Sequence, residues 1–197
     1  MTMENIDALK KNPREGGRLT YKLKNADVFV SKSGFHFIDY LDPVEEILPE
    51  IDASQLTDEV AAYIETQLQA NAEKFDNQAN IVKQHLPLQN AKVLDVGCGG
   101  GLFLSLLKQQ GADVIGIELS DSRAQYAKAK HRLVIDKHPI ESDHWQSGYA
   151  TYFDAVTLWD VIEHVNYPLQ TLQSVANVLK EGGVLLIDTP CRDSFYH

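Results

Sequence analysis

Cysteine is scarce in this chain of 197 residues: there are two, Cys98 and Cys191. Two such distant residues give neither a disulfide framework nor a zinc-ligand spacing, so a reduced, cytoplasmic setting is expected. No apolar run approaches the ~20 residues that span a bilayer, so no transmembrane segment is expected. Residues 1–17 are polar and carry no apolar core, which excludes a secretory-signal reading of that stretch. Basic residues are also in the minority, 18 against 28 acids, for a formal net charge of −10. A nucleic-acid partner usually needs a basic surface, so none is expected. Hydrophobic residues make up 44% and charged residues 23%, ordinary values for a globular protein with one sizeable core.

What the chain does have is a glycine corner. The run Val93-Leu94-Asp95-Val96-Gly97-Cys98-Gly99-Gly100-Gly101 is an apolar strand that breaks into glycines. Leu102-Phe103-Leu104-Ser105-Leu106-Leu107 follows at once, so the turn opens a helix. Strand, glycine turn and helix in that order form a nucleotide-binding corner. A second apolar strand, Val114-Ile115-Gly116-Ile117, stops on Glu118, where an acid can take both hydroxyls of a ribose.

The glycine spacing separates two kinds of ligand. A dinucleotide corner reads GxGxxG, but after Gly97 and Gly99 the third position falls on Leu102. Asp95 stands two residues before Gly97, where a carboxylate would repel a pyrophosphate and attract an ammonium group. The pattern argues against a nicotinamide-dependent oxidoreductase and for an aminoacyl nucleoside such as S-adenosylmethionine.

Beyond residue 92 the chain alternates. Strands are expected near 92–96, 113–118, 132–135, 153–158 and 183–188, and helices near 101–109, 121–130 and 168–180. This is the pattern of an α/β, Rossmann-like, mostly parallel sheet with helices on both faces. Upstream, residues 1–20 read as a poorly ordered leader, and two short strands are expected around residues 31–34. Val60, Ile64 and Leu68 repeat at helical spacing behind Ser54 and Thr57 as caps. A further helix carries Phe75, Ile81, Val82 and Leu86. The expected division is a helical N-terminal extension, 1–70, and a cofactor-binding domain, 71–197.

Four segments together resemble class I S-adenosylmethionine-dependent methyltransferases: residues 93–101, residues 114–119, Phe153-Asp154-Ala155-Val156-Thr157-Leu158-Trp159-Asp160-Val161-Ile162-Glu163-His164-Val165, and Leu179-Lys180-Glu181-Gly182-Gly183-Val184-Leu185-Leu186-Ile187-Asp188-Thr189-Pro190. The resemblance covers residues 75–192 and is nearest to the small-molecule branch that holds the ubiquinone-pathway O-methyltransferases. It implies methyl transfer from S-adenosylmethionine to a small-molecule acceptor at oxygen. Methyltransferases that act on DNA bases carry an Asn/Asp-Pro-Pro-aromatic signature where this chain has Leu158-Trp159-Asp160-Val161. The family's sheet has seven strands, and the nine residues after Asp188 are too few for the last two. The C-terminal strands are therefore expected to be missing, and a non-catalytic cofactor-binding or protein-interaction module is the alternative reading.

The resemblance also implies roles. Asp95 and Gly97 would hold the amino-acid end of the cofactor, and Gly99 and Gly101 would admit the backbone to the ligand, although Asp95 also reads as a cap on the glycine turn. Cys98 lies in the same loop, as a small filler rather than a nucleophile. Glu118 would bind the ribose and Leu119 the adenine, with Ser120 capping the next helix. The adenine edge would meet the loop at His138, Pro139 and Ile140. Trp159 and Asp160 end the fourth parallel strand against the ligand crevice, although Trp159 also fits as a core aromatic. Glu163 and His164 are the catalytic candidates, His164 as a base toward a phenolic or similar hydroxyl; the pair also reads as ordering its loop, or as metal ligands with Asp160. Lys74 and Phe75 would form a lid, or a solvated face. No metal is expected, because His131, His138 and His144 show no compact ligand pattern.

Overall fold

A computed structural model describes residues 18–22, 27–30, 36–38 and 55–190. Contacts divide the chain into two compact units, Met1–Pro43 and Val44–His197. In the first unit the described residues form three antiparallel strands, β1 (Arg18–Lys22), β2 (Asp27–Val30) and β3 (His36–Ile38), in the order β1-β2-β3. β2 and β3 are the two short strands read from the sequence. β1 was counted in part as leader, because its polar composition hides backbone groups that find partners only in β2. The helical extension is likewise corrected before residue 55: the described residues there are strands.

The second unit opens with two helices, α1 (Asp58–Ala70) and α2 (Ala72–His85). Thr57 caps α1 by accepting from the Val60 N–H at 3.3 Å, and Asp58 and Glu59 suit the positive end of the helix. Ser54, the other expected cap, lies outside the described residues. α1 buries Val60 and Ile64 against Tyr126. It therefore belongs with the second unit and not with an extension that ends at residue 70.

The rest alternates as β4 (Lys92–Val96), α3 (Leu102–Gln109), β5 (Asp113–Ile117), α4 (Asp121–His131), β6 (Val134–Asp136), α5 (Asp143–Gly148), β7 (Phe153–Trp159), α6 (Pro168–Val178) and β8 (Leu179–Asp188). The five strands are all parallel in the order β6-β5-β4-β7-β8. The order reverses between β4 and β7, so a crevice opens there at the carboxyl ends of the strands.

Side-chain alternation along the strands builds two cores. Val93 and Ala155 face one core, with Val82 of α2, Phe103 and Leu107 of α3 and Ala127 of α4. Leu94, Val156 and Leu158 face the other, with Trp145 of α5 and Val175 of α6. Helix α5 was not expected, because Asp143-His144-Trp145-Gln146 carries no apolar period; its anchor is Trp145, fully buried. Helix α6 stops at Val178 and β8 begins four residues earlier than expected. The register runs Phe153↔Leu179 and then Ala155↔Val184, and Gly182 at φ +75° takes up the bulge. Among the described residues β8 pairs with β7 alone.

Candidate functional site

The glycine corner begins where β4 ends. Gly97 takes φ +75°, and the N–H groups of Gly97 and Cys98 both donate to the carbonyl of Ile117, at 2.8 and 2.9 Å. The corner is thus folded back over the tip of β5. Gly101 starts α3 at φ +79°. A Cβ there would lie 2.5 Å from Leu133 Cδ1 and 2.9 Å from the Ala127 Cβ, so no larger residue fits.

Glu118 spans the corner from the neighbouring strand. Its Oε2 accepts from the Gly99 N–H at 2.7 Å, and its Oε1 accepts from the Ser120 N–H at 2.8 Å. Leu119, the next residue, is 43% exposed, and Ser120 caps α4 by accepting from the Arg123 N–H. Cys98 is buried, and burial first, then the charges of Asp95 and Glu118, push its thiol well above its usual range. A thiol so placed supplies no thiolate, which agrees with a filler role.

Asp95 lies one residue inside the tip of β4 and is 3% exposed. Its register partner on β7 is Thr157, whose hydroxyl donates to Asp95 Oδ1 at 2.7 Å. Burial pushes the Asp95 carboxyl up to about 8; the Thr157 hydrogen bond pulls it down, and the Glu118 charge adds to the rise. A buried carboxylate with one hydroxyl partner favours a cationic ligand, which would stabilise its ionised form.

At the tip of β7, Trp159 meets Phe103 edge-on at 5.5 Å, and its indole Nε1 is buried without a hydrogen-bond partner. Asp160 turns the chain at φ +53°. It pairs with Lys74 of α2, which also lies 3.9 Å from Asp188 Oδ2 at the end of β8. These groups border a cleft of about 580 Å³ whose walls include Lys74, Gln78, Ile81, Trp159, Leu186 and Asp188. Gln78 is 3% exposed, and neither atom of its amide has a partner. Asp95 and Glu118 do not line this cleft.

Glu163 and His164 are exposed in the turn between β7 and α6, away from the cleft lining. Glu163 accepts from the Thr189 hydroxyl at 3.1 Å. They form no ligand group with Asp160 among the described residues. The loop at His138 and Pro139 is exposed, while Ile140 is buried in the second core. One correction concerns the histidines: His138 and His144, which showed no ligand pattern in sequence, converge on Asp136.

Three residues of this region escaped the sequence reading: Thr157, Gln78 and Asp188. Thr157 had a signal, a lone hydroxyl inside an otherwise apolar strand interior. Gln78 had none, since a glutamine on a helix ordinarily faces water.

A parallel sheet with a glycine corner on its central strand and an acid at the tip of the next is the frame of a nucleotide-binding α/β domain. A family model described as a methyltransferase domain matches residues 67–197. The chain belongs to this methyltransferase domain family. It is 39% identical over 116 residues to a ubiquinone biosynthesis O-methyltransferase of Histophilus somni, covering 55% of this chain and 49% of the relative. A protein of the same name from Stutzerimonas stutzeri is 30% identical over 115 residues, covering 57% and 50%. The chain spans about half the length of the curated relatives it matches. Among solved structures, an S-adenosylmethionine-dependent methyltransferase of Aquifex aeolicus superposes with a TM-score of 0.53 at 20% identity, covering 64% of this chain and 71% of that one. One from Mesorhizobium loti gives 0.51 at 20%, covering 58% and 54%. These structures bear on the fold alone.

Proposed function

We propose that this chain binds S-adenosylmethionine across the glycine corner and supports transfer of its methyl group to an oxygen of a small-molecule acceptor. The observation that carries the reading is the buried Asp95 carboxyl beneath the corner, with Glu118 bonded to the corner's backbone. Asp95 would meet the cofactor's ammonium group and Glu118 its ribose hydroxyls. Leu119 would offer apolar contact to the adenine. Gly97, Gly99 and Gly101 would let the backbone approach, with Cys98 filling the space below the loop. Residues 71–197 would form the cofactor domain, with α1 packed on it.

When bound, the cofactor supplies an electrophilic methyl group on a sulfonium sulfur. The chain's part is alignment of an acceptor oxygen with that methyl and removal of the acceptor's hydroxyl proton. Trp159 and Asp160 would form the wall shared with the acceptor, and the cleft beside them suits a small organic molecule. The unpartnered Gln78 amide and Trp159 indole are buried behind the cleft wall and would bond to the acceptor if their side chains turn toward it. His164 is the proposed base, with Glu163 beside it. The two relatives named as O-methyltransferases support oxygen as the methylated atom. The acidic balance supports a small molecule over a nucleic acid. No helix of the described residues is long and apolar enough to cross a membrane, and the proposed setting is cytoplasmic.

Calorimetric titration with S-adenosylmethionine, and with NAD as control, tests the cofactor. Micromolar binding of the first alone is expected; equal binding of both, or of neither, would remove the reading. Labelled methyl transfer to simple phenolic acceptors then tests the reaction.

A further inference from the structure

Asp136, His138 and His144 come together from three different elements. Asp136 ends β6, His138 lies in the loop after it, and His144 is in helix α5. Asp136 Oδ1 is 2.8 Å from His138 Nδ1, and its Oδ2 is 3.3 Å from His144 Nε2. One ligand atom from each residue lies within 4.8 Å of the other two. The two imidazole rings stack at 4.7 Å between centroids, 24° apart.

The cluster is held from behind. The backbone N–H of His138 donates to Asp136 Oδ1 at 2.6 Å, fixing the loop on its strand. The indole N–H of the buried Trp145 donates to the carbonyl of His138 at 2.9 Å, and Trp145 is the residue after His144. One buried side chain thus anchors both histidine-bearing segments.

We propose that Asp136, His138 and His144 form a binding site for a divalent transition-metal ion of the zinc type. Two imidazole nitrogens and one carboxylate oxygen are the donors that zinc, cobalt and nickel prefer; magnesium and calcium take oxygen. Metal–ligand bonds of roughly 2.0–2.2 Å place tetrahedral donor atoms about 3.3 Å apart. Asp136 already lies at 2.8 and 3.3 Å from the two histidines, and rotation of the exposed side chains would bring the three donors, now within 4.8 Å, to that spacing. The metal would take the place of the direct contacts that each histidine now makes with Asp136. Three protein ligands leave a fourth position for water.

The site shares His138 with the loop expected to meet the adenine edge, and it touches the glycine corner's acid through one backbone bond. The Glu118 N–H donates to the carbonyl of Asp136 at 3.0 Å. Metal binding does not depend on the methyl-transfer reading, and its test needs no turnover.

The experiment is calorimetric titration of the full chain with zinc ion, and with cobalt ion followed by visible absorption. One zinc per chain in the micromolar range is expected, with cobalt giving the absorption bands of a tetrahedral site. H138A and H144A should each weaken binding at least about tenfold, the loss of one ligand. Both histidines are exposed, so these variants should keep the far-ultraviolet circular dichroism of the parent; D136N gives a third, independent ligand deletion. H85A, an exposed histidine on α2, should leave binding unchanged. No zinc binding by the parent chain, or binding that survives in the H138A/H144A double variant, would overturn the proposal.

Discussion

The Glu118 carboxylate accepts the Gly99 N–H at 2.7 Å, so the acid at the tip of β5 and the glycine corner of β4 are one hydrogen-bonded unit. The same carboxylate also accepts the Ser120 N–H. Glu118 therefore shapes the corner before any ligand arrives. Charge-assisted bonds of this kind are worth roughly 1.5–3 kcal/mol each.

Glu118→Ala is expected to weaken S-adenosylmethionine binding by roughly 10- to 100-fold, the loss of one or two charged hydrogen bonds. Titration calorimetry reads this directly. Unchanged affinity would remove Glu118 from the site.

Asp95 sets a pH dependence of stability. In the folded chain its carboxyl is raised to about 8 from the usual 3.8. Between those values the folded state holds a proton that the unfolded state has lost. Stability from this group therefore falls as pH rises through that window, and the full cost is reached above about pH 8. Asp95→Asn removes the charge, so thermal melts should show the variant gaining on the parent as pH rises from 5 to about 9. A constant difference between them across that range would contradict the assignment.

The same raised carboxyl predicts proton release on cofactor binding. At pH 7 Asp95 is mostly protonated, and an ammonium group beside it favours the ionised form. Calorimetry at pH 7 in buffers of different ionisation enthalpy should show release approaching one proton, fading above about pH 9. An enthalpy independent of buffer would place the ammonium elsewhere.

Gly101 admits no side chain. Gly101→Ala combines a positive φ with a Cβ 2.5 Å from Leu133 Cδ1. A loss of roughly 1–3 kcal/mol in urea unfolding is expected. A change below about 0.5 kcal/mol would mean that the corner relaxes freely.

Gln78 separates stability from function. Its amide is buried and unpartnered on the cleft wall, so Gln78→Leu removes a desolvation cost and should hold or raise the melting temperature. If the acceptor uses that amide, KM for the acceptor rises while cofactor affinity stays the same. An unaltered KM would exclude Gln78 from acceptor binding.

The parallel sheet was legible because each strand is a short apolar run ended by a polar tip: Val93 to Asp95, Val114 to Glu118, Phe153 to Asp160. The glycine corner was legible because its residues are adjacent in sequence. The pairing of Asp95 with Thr157 was not, since it depends on strand register across 62 positions. The cluster of Asp136, His138 and His144 depends on helix α5, whose sequence has no period to announce it. Glu163 and His164 were singled out by likeness to relatives; their geometry is an exposed turn, and their role stays a proposal. The boundary of the extension was misjudged for α1, because the partner that buries Val60 and Ile64 is Tyr126, far along the chain.

The Asp95–Thr157 contact also bears on how the chain folds. Its two residues belong to adjacent central strands, and α3, β5, α4, β6 and α5 lie between them in sequence. Contacts of such long separation form late and slowly, after local helices have appeared. The glycine corner and Glu118 can therefore join through the nearer β4–β5 pair first, while Asp95 gains its hydroxyl partner only when β4 and β7 close.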